Sequence, residues 1–360
     1  MAATIPTREI ALGPHGRIRY DPGAMGGRNA SERWLRAALL IAGAALFALL
    51  VWEIGPRAIA ASFARLGFTL LIVLVFPFCV ITAFDTLGWR YAFRRDRVSF
   101  WELALARVAG EAVNGTTPTG SVGGEAVKAW LLRDRVPFRE SLPSVIVAKT
   151  TITIAQALFL LFGLLVAWST LMADASWLLK PMGALLGLEI LAVSGFVCAQ
   201  VMGVLAGSGR MLERIGVMRS AHRGLPLKRM DRALSLFYRR QRARLALSIG
   251  FHFLGWLVSA AETWFILWLL GVPVSPATAV IIEACGTAVR FVTFFIPGHL
   301  GVLEGGNVAV FMALGLDHGA GLSAILVRRV REAAWIGLGF LVLRAPAHRP
   351  APVPVPEPEG

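Results

Sequence analysis

The feature that most limits the fold of this 360-residue chain is a series of apolar runs, each 18 residues or longer. A bilayer core about 30 Å thick takes roughly 20 residues of α-helix to cross, so each run is long enough to span. Six spans are expected, at 37–54, 67–87, 142–168, 179–206, 245–270 and 321–343. A chain that is 56% apolar and 16% charged, with mean hydropathy +0.65, is not composed like a soluble domain. The expected fold class is an all-α polytopic membrane protein.

Two further stretches are interrupted. Residues 101–132 are broken by Asn114-Gly-Thr-Thr-Pro118-Thr-Gly120-Ser-Val-Gly123-Gly124, and only eight residues, Glu125 to Leu132, remain before Arg133. That arm covers about 12 Å, too little to cross, so a re-entrant or broken-helix hairpin is expected. Residues 277–316 are broken at Ile296-Pro297-Gly298-His299-Leu300-Gly301, with arms long enough that either a hairpin or two full spans fits. Six full spans plus two hairpins result.

Basic residues orient the chain. Loops 88–100 (Arg90, Arg94, Arg95, Arg97), 133–139 and 207–244, with eleven Lys and Arg, are expected on the cytoplasmic side. Loops 169–177, 271–276 and 317–320 carry none and face outward. Both termini then fall inside, as a basic tail at 1–33 and a Pro-rich tail at 345–360 flanking a membrane domain at 34–344. The net charge of +14 on so apolar a chain points to anionic lipid rather than to nucleic acid. Loop 207–244 reads as an amphipathic interfacial helix pair or a solvated topology-setting loop. Cys79, Cys198 and Cys285 form no C-x-x-C pair and read as small core residues, with no metal site or cofactor indicated.

The breaks repeat. Pro118, Glu125 and Lys149 stand 179 positions before Pro297, Glu304 and Arg328, and Val98-Ser99 and Val274-Ser275 open the two hairpins, with a three-residue difference in arm length. Each half (37–170 and 179–344) then holds three spans and a hairpin, and because three is odd the halves are inverted. Inverted repeats with Gly/Pro-broken segments at matching positions mark transporter binding sites near the midplane.

Charges gather beside these breaks. A last helix beginning after Arg331 would be too short to span, so Arg328, Arg329 and Arg331 lie at membrane depth. Each costs about 2.5–3.5 kcal/mol there unless it faces protein, water or an anion. Glu304 and Glu332 are natural partners in this half, and Glu125 with Lys149 or Lys128 in the other. One reading is a set of ion pairs locking hairpin to helix. The other is a head-group site built from cations and broken-helix N-termini. Asn114, Thr116, Thr117, Thr119 and Ser121 serve either this site or the backbone freed at the break. Gln156, Glu189, Glu262, Glu283 and Arg290 read as interhelical hydrogen-bonding residues. No H-E-x-x-H, G-x-S-x-G, P-loop or dinucleotide fingerprint is present, so an enzyme is not the expectation.

Several motifs together carry a resemblance. Gly110-Glu-Ala-Val-Asn114, Val122-Gly-Gly-Glu125, Gln156-Ala-Leu-Phe159, Phe295-Ile-Pro297, Leu300-Gly-Val-Leu-Glu304-Gly-Gly306 and Arg328-Arg-Val-Arg331-Glu332 resemble the lysylphosphatidylglycerol synthase transmembrane-region, or flippase-like, family over about 34–344. Within it they are most similar to the hopanoid-associated HpnL subgroup, in which an acidic residue more often stands at the position of Lys149. The resemblance implies a bacterial inner-membrane protein that moves a polar lipid or hopanoid-type amphiphile between leaflets. It does not imply lysyl-lipid synthesis, since no soluble aminoacyl-transfer domain is expected in this stretch. Head-group contact or gating is expected from Asn114, Pro118, Gly120, Gly123, Gly124, Glu125, Lys128, Lys149, Pro297, Gly298, Gly301, Glu304, Arg328, Arg329, Arg331 and Glu332. The alternatives are a non-transporting partner of lipid-biosynthetic enzymes, or a membrane-embedded transferase using Glu125 and Glu304 as its acid-base pair.

Overall fold

The structure is a computed structural model that describes residues 67–96, 98–117, 122–170, 177–202, 227–293 and 301–344, with Trp52, Arg57 and Ala64. Most of the expected span 37–54, both expected tails, and Pro118, Gly120, Pro297, Gly298 and His299 lie outside the described residues.

Every regular element among the described residues is a helix: α1 (Thr69–Ala92), α2 (Phe100–Thr116), α3 (Val122–Leu131), α4 (Phe138–Thr170), α5 (Leu179–Met202), α6 (Leu227–Arg240), α7 (Arg242–Leu269), α8 (Pro276–Val292), α9 (Val302–Ala313) and α10 (His318–Arg344). Four of them, α1, α4, α5 and α7, are long and apolar enough to cross a membrane, and they coincide with four of the expected spans. The expected span 321–343 lies within α10, whose 27 residues carry Arg328, Arg329, Arg331 and Glu332 in mid-helix. Large apolar side chains such as Leu71, Phe76, Leu165, Leu191 and Leu341 point outward, as lipid-facing surface requires. Cys285 is buried, but Cys79 and Cys198 are exposed, so two of the three cysteines expected in the core face outward instead.

Each hairpin starts on a serine cap. Ser99 accepts from the backbone N–H of Glu102, and Glu102 returns the bond to the Ser99 N–H. Ser275 accepts from the N–H of Thr278, with Pro276 following it. These caps satisfy donors that an α-helix leaves open at its first turn. Both first arms, α2 and α8, are 17 residues long. Both end on a threonine, Thr117 or Thr293, whose hydroxyl donates to the carbonyl four residues back. The expected difference in arm length is therefore corrected. The arms are equal, and the three extra residues fall between Thr293 and Gly301, in the break itself. The second arms, α3 and α9, have 10 and 12 residues, about 15 and 18 Å, short of a bilayer core.

The halves pack by exchange. α1 packs most extensively against α7, its positional counterpart, and each first arm lies against the last helix of the other half: α2 on α10, and α8 on α4. Small residues permit both approaches. A Cβ on Gly339 of α10 would stand 2.5 Å from the Ala112 Cβ and 2.6 Å from the Val108 carbonyl of α2. A Cβ on Gly163 of α4 would likewise collide with the Ala284 Cβ of α8.

α6 lies outside this exchange. Met230, Leu234 and Phe237 bury one face, while Arg232, Arg239 and Arg240 are exposed on the other. One amphipathic helix is thus described in the basic loop, where a pair was among the expectations.

Candidate functional site

Lys149 lies 11 residues into α4, and Arg328 lies 10 residues into α10. That places each about 15 Å from its helix start, roughly a third of the way along its helix. Around each gathers a set of charges drawn from one hairpin and its neighbours.

In the first half the break is closed by Asn114. Its Oδ1 accepts from the Gly124 N–H at 2.8 Å, and its Nδ2 donates to Glu125 at 3.4 Å. A side chain on Gly124 would collide with Asn114 and the Gly110 carbonyl, so glycine is what lets α3 fold back onto α2. Thr116 and Thr117 donate to carbonyls of their own helix, which bears out the backbone-satisfying reading for them. Lys128 is buried and bonds Glu111 at 2.7 Å and Glu125 at 3.0 Å. Arg107 reaches Asp85 of α1 at 2.6 Å, and the other Asp85 oxygen meets His252 Nδ1 of α7 at 2.9 Å. Three carboxylates, Asp85, Glu111 and Glu125, thereby face three cations, Arg107, Lys128 and Lys149. Only Lys149 is exposed among these cations. It lines a cavity of about 30 Å³ with Arg107, Glu111, Glu125 and Trp89, and no described carboxylate lies within ion-pair distance of it.

The second half is more tightly tied. Arg328 donates to Glu283 at 2.7 Å, Ser259 Oγ at 2.7 Å and Glu262 at 3.2 Å, which links α10 to α8 and α7. Arg331 bonds Glu262 and is buried. Arg329 bonds Glu304 at 2.7 Å and Glu332 at 2.9 Å, and Arg290 reaches Glu283 at 3.4 Å. Four arginines meet four glutamates. Gly301, at φ 76, caps α9 in a conformation that L side chains rarely adopt.

Several sequence expectations meet this geometry directly. The pairings Glu304–Arg329, Glu332–Arg329 and Glu125–Lys128 form as expected, whereas Arg328 and Arg331 take Glu283 and Glu262 instead. Gln156 donates to the Thr287 carbonyl and joins α4 to α8, as an interhelical residue should. Glu125 and Glu304 stand in the first turns of α3 and α9, where an anion was expected. A resident carboxylate already fills each positive helix end. Asp85, Arg107, Glu111, Ser259 and His252 were not singled out by the sequence as site residues. The available signals were a single acid inside the apolar run 67–87 and an Arg and Glu one helical turn apart in 101–116.

The chain matches the lysylphosphatidylglycerol synthase TM region over residues 34–338. It is similar to the UPF0104 membrane protein PH1989 of Pyrococcus horikoshii, 21% identical over 85% of this chain and 96% of that protein. A UPF0104 membrane protein of Methanothermobacter thermautotrophicus is 24% identical over 82% of this chain and 90% of its own length. No solved structure matches. With its family match covering most of the helices above, the chain belongs to the lysylphosphatidylglycerol synthase transmembrane-region family and is a multi-pass membrane protein.

Proposed function

We propose that this protein carries a polar lipid between the leaflets of a bacterial inner membrane, with both termini cytoplasmic. One observation carries the reading: an exposed lysine, Lys149, lines a cavity about 15 Å into α4 and makes no described ion pair, in a bundle whose other described cations beside the breaks are all paired. A charge left unmatched at that depth is costly unless something transient matches it. The head group of a phospholipid or of a hopanoid-type amphiphile is such a match, while its chains remain in the surrounding lipid.

The exchange packing supports the inverted repeat on which alternating exposure depends. Lys149 contacts the head group in this reading, and the paired Glu125 and Lys128 position the cavity wall around it. The Arg328, Arg329, Arg331, Glu304 and Glu332 network gates it, and Asn114, Gly123, Gly124 and Gly301 shape the hairpins. Since Glu125 and Glu304 are held by Lys128 and Arg329, they serve position and gating here rather than acid-base chemistry.

The test is leaflet-resolved movement of a fluorescent phospholipid in reconstituted vesicles. Wild-type protein is expected to exceed protein-free vesicles, and Arg328→Ala with Glu304→Ala, which lowers the thermal midpoint, to slow the movement when compared at equal amounts of folded protein below that midpoint. Equal rates in wild type and the folded double variant would remove the assignment. A second reading, a docking partner for lipid-biosynthetic enzymes, is favoured by the exposed arginine face of α6. It requires loss of function when Arg232, Arg239 and Arg240 are neutralised and none when the hairpin charges change.

A further inference from the structure

A cavity of about 350 Å³ lies away from the hairpin charges, where the end of α1, the first turns of α4 and the inner face of α6 meet. Its lining includes the apolar Phe93, Val147 and Phe237 and the cationic Arg94 and Arg95. The neighbouring acid, Asp96, is taken by Arg244 at 2.5 Å, so it does not neutralise Arg94 or Arg95. Glu140 is the single carboxylate in the wall and leaves one positive charge in excess. By the positive-inside rule this end of the bundle faces the cytoplasm. A volume of this size, lined by both apolar and cationic side chains beside the amphipathic α6, suits an amphiphile with a negative head and an acyl chain.

A second relationship gives the cavity a destination. Trp89, fully buried, donates its indole N–H to Ser144 Oγ at 3.2 Å. Ser144 lines the 350 Å³ cavity, and Trp89 lines the charged cavity that holds Lys149. The two spaces are adjacent on α4: Ser144 and Val147 face one, while Val145, Ala148 and Lys149 face the other. The Trp89–Ser144 hydrogen bond links a wall of one to a wall of the other.

We propose that the cavity is the loading site for an anionic phospholipid from the cytoplasmic leaflet, with Arg94 and Arg95 holding the phosphate and Trp89–Ser144 the partition the head group passes to reach Lys149. This rests on the translocation reading above and adds to it the substrate class, the side of loading and the route. The glycerophosphate contacts the guanidinium groups, and one chain lies against Phe93, Val147 and Phe237.

The test uses the full chain in vesicles containing a photoactivatable phosphatidylglycerol or, separately, the matched phosphatidylcholine. After illumination, mass spectrometry locates the adducts, and translocation is measured on the same preparations. Phosphatidylglycerol is expected to label the cavity walls in preference to phosphatidylcholine. Arg94→Ala with Arg95→Ala is expected to lower that labelling about tenfold. Ala233→Trp, which fills the cavity without changing charge, is expected to lower it as well. Trp89→Ala should keep the labelling and change the translocation rate. Equal labelling by the two lipids, or labelling indifferent to both the arginine and the filling variants, overturns the loading site. If the wild type labels as expected and yet moves no lipid, the translocation reading fails instead, which separates the two claims.

Discussion

Arg328 of α10 and Glu283 of α8 lie 2.7 Å apart, the guanidinium also holding Ser259 Oγ of α7 at 2.7 Å, so one side chain joins the last helix to the second hairpin and to the helix that packs on α1. The pair is almost closed to solvent, with side-chain exposures of 11% and 2%. Removing Arg328 takes away the closer of the two cations that face the buried Glu283, the other being Arg290 at 3.4 Å, and loss of a buried partner costs up to about 3–5 kcal/mol.

Arg328→Ala is therefore expected to destabilise the protein by that order, read as a large drop in thermal midpoint in detergent. Replacing both Arg328 and Glu283 by leucine should recover part of the lost stability, because the one cation then left without its carboxylate, Arg290, is more exposed at 26% than Arg328 at 11%. A double variant no more stable than Arg328→Ala would contradict the pairing.

The glycines of α10 provide an internal comparison. Gly339 faces the α2 backbone with no room for a Cβ, while nothing lies within 4 Å of a Cβ built on Gly337. Gly339→Ala is expected to cost about 1–3 kcal/mol through overpacking, and Gly337→Ala to be neutral or slightly stabilising. Thermal unfolding of the two variants side by side decides it. Equal effects would show that α2 and α10 do not approach closely at this point.

The serine caps predict a smaller effect. Ser99→Ala and Ser275→Ala should each destabilise by about 1 kcal/mol. Hydrogen exchange should report it as faster exchange in the first turns of α2 and α8 only.

Exposure separates the two charge sets. Lys149 is exposed to its cavity and Arg331 is buried. In a background with Cys79, Cys198 and Cys285 replaced, Lys149→Cys is expected to react with a water-soluble thiol reagent and Arg331→Cys to resist it. The reverse order would place the water-filled space in the other half.

Much of this architecture was legible because its physics is local. The lengths of the apolar runs gave α1, α4, α5 and α7, and the Val-Ser pairs before each hairpin marked Ser99 and Ser275, which are its N-caps. Glu125, Lys128, Glu304, Arg329 and Glu332 could be paired by proximity in sequence to the breaks. Asp85, Glu262 and Glu283 could not be matched to their partners. Each sits alone in an apolar run and meets its cation on a helix distant in the chain, so only packing reveals the pair. Helix lengths likewise assigned the three-residue difference to the second break, which spacing alone had left to the arms.

The most direct measurement concerns Lys149, because it has no described ion pair whose loss would unfold the protein. Leaflet-resolved phospholipid movement should be compared in vesicles holding equal amounts of wild type and Lys149→Gln, alongside thermal midpoints for both. The account predicts unchanged midpoints with translocation about tenfold slower in the variant, a difference of about 1.4 kcal/mol in barrier. Equal translocation by the two folded proteins would contradict it.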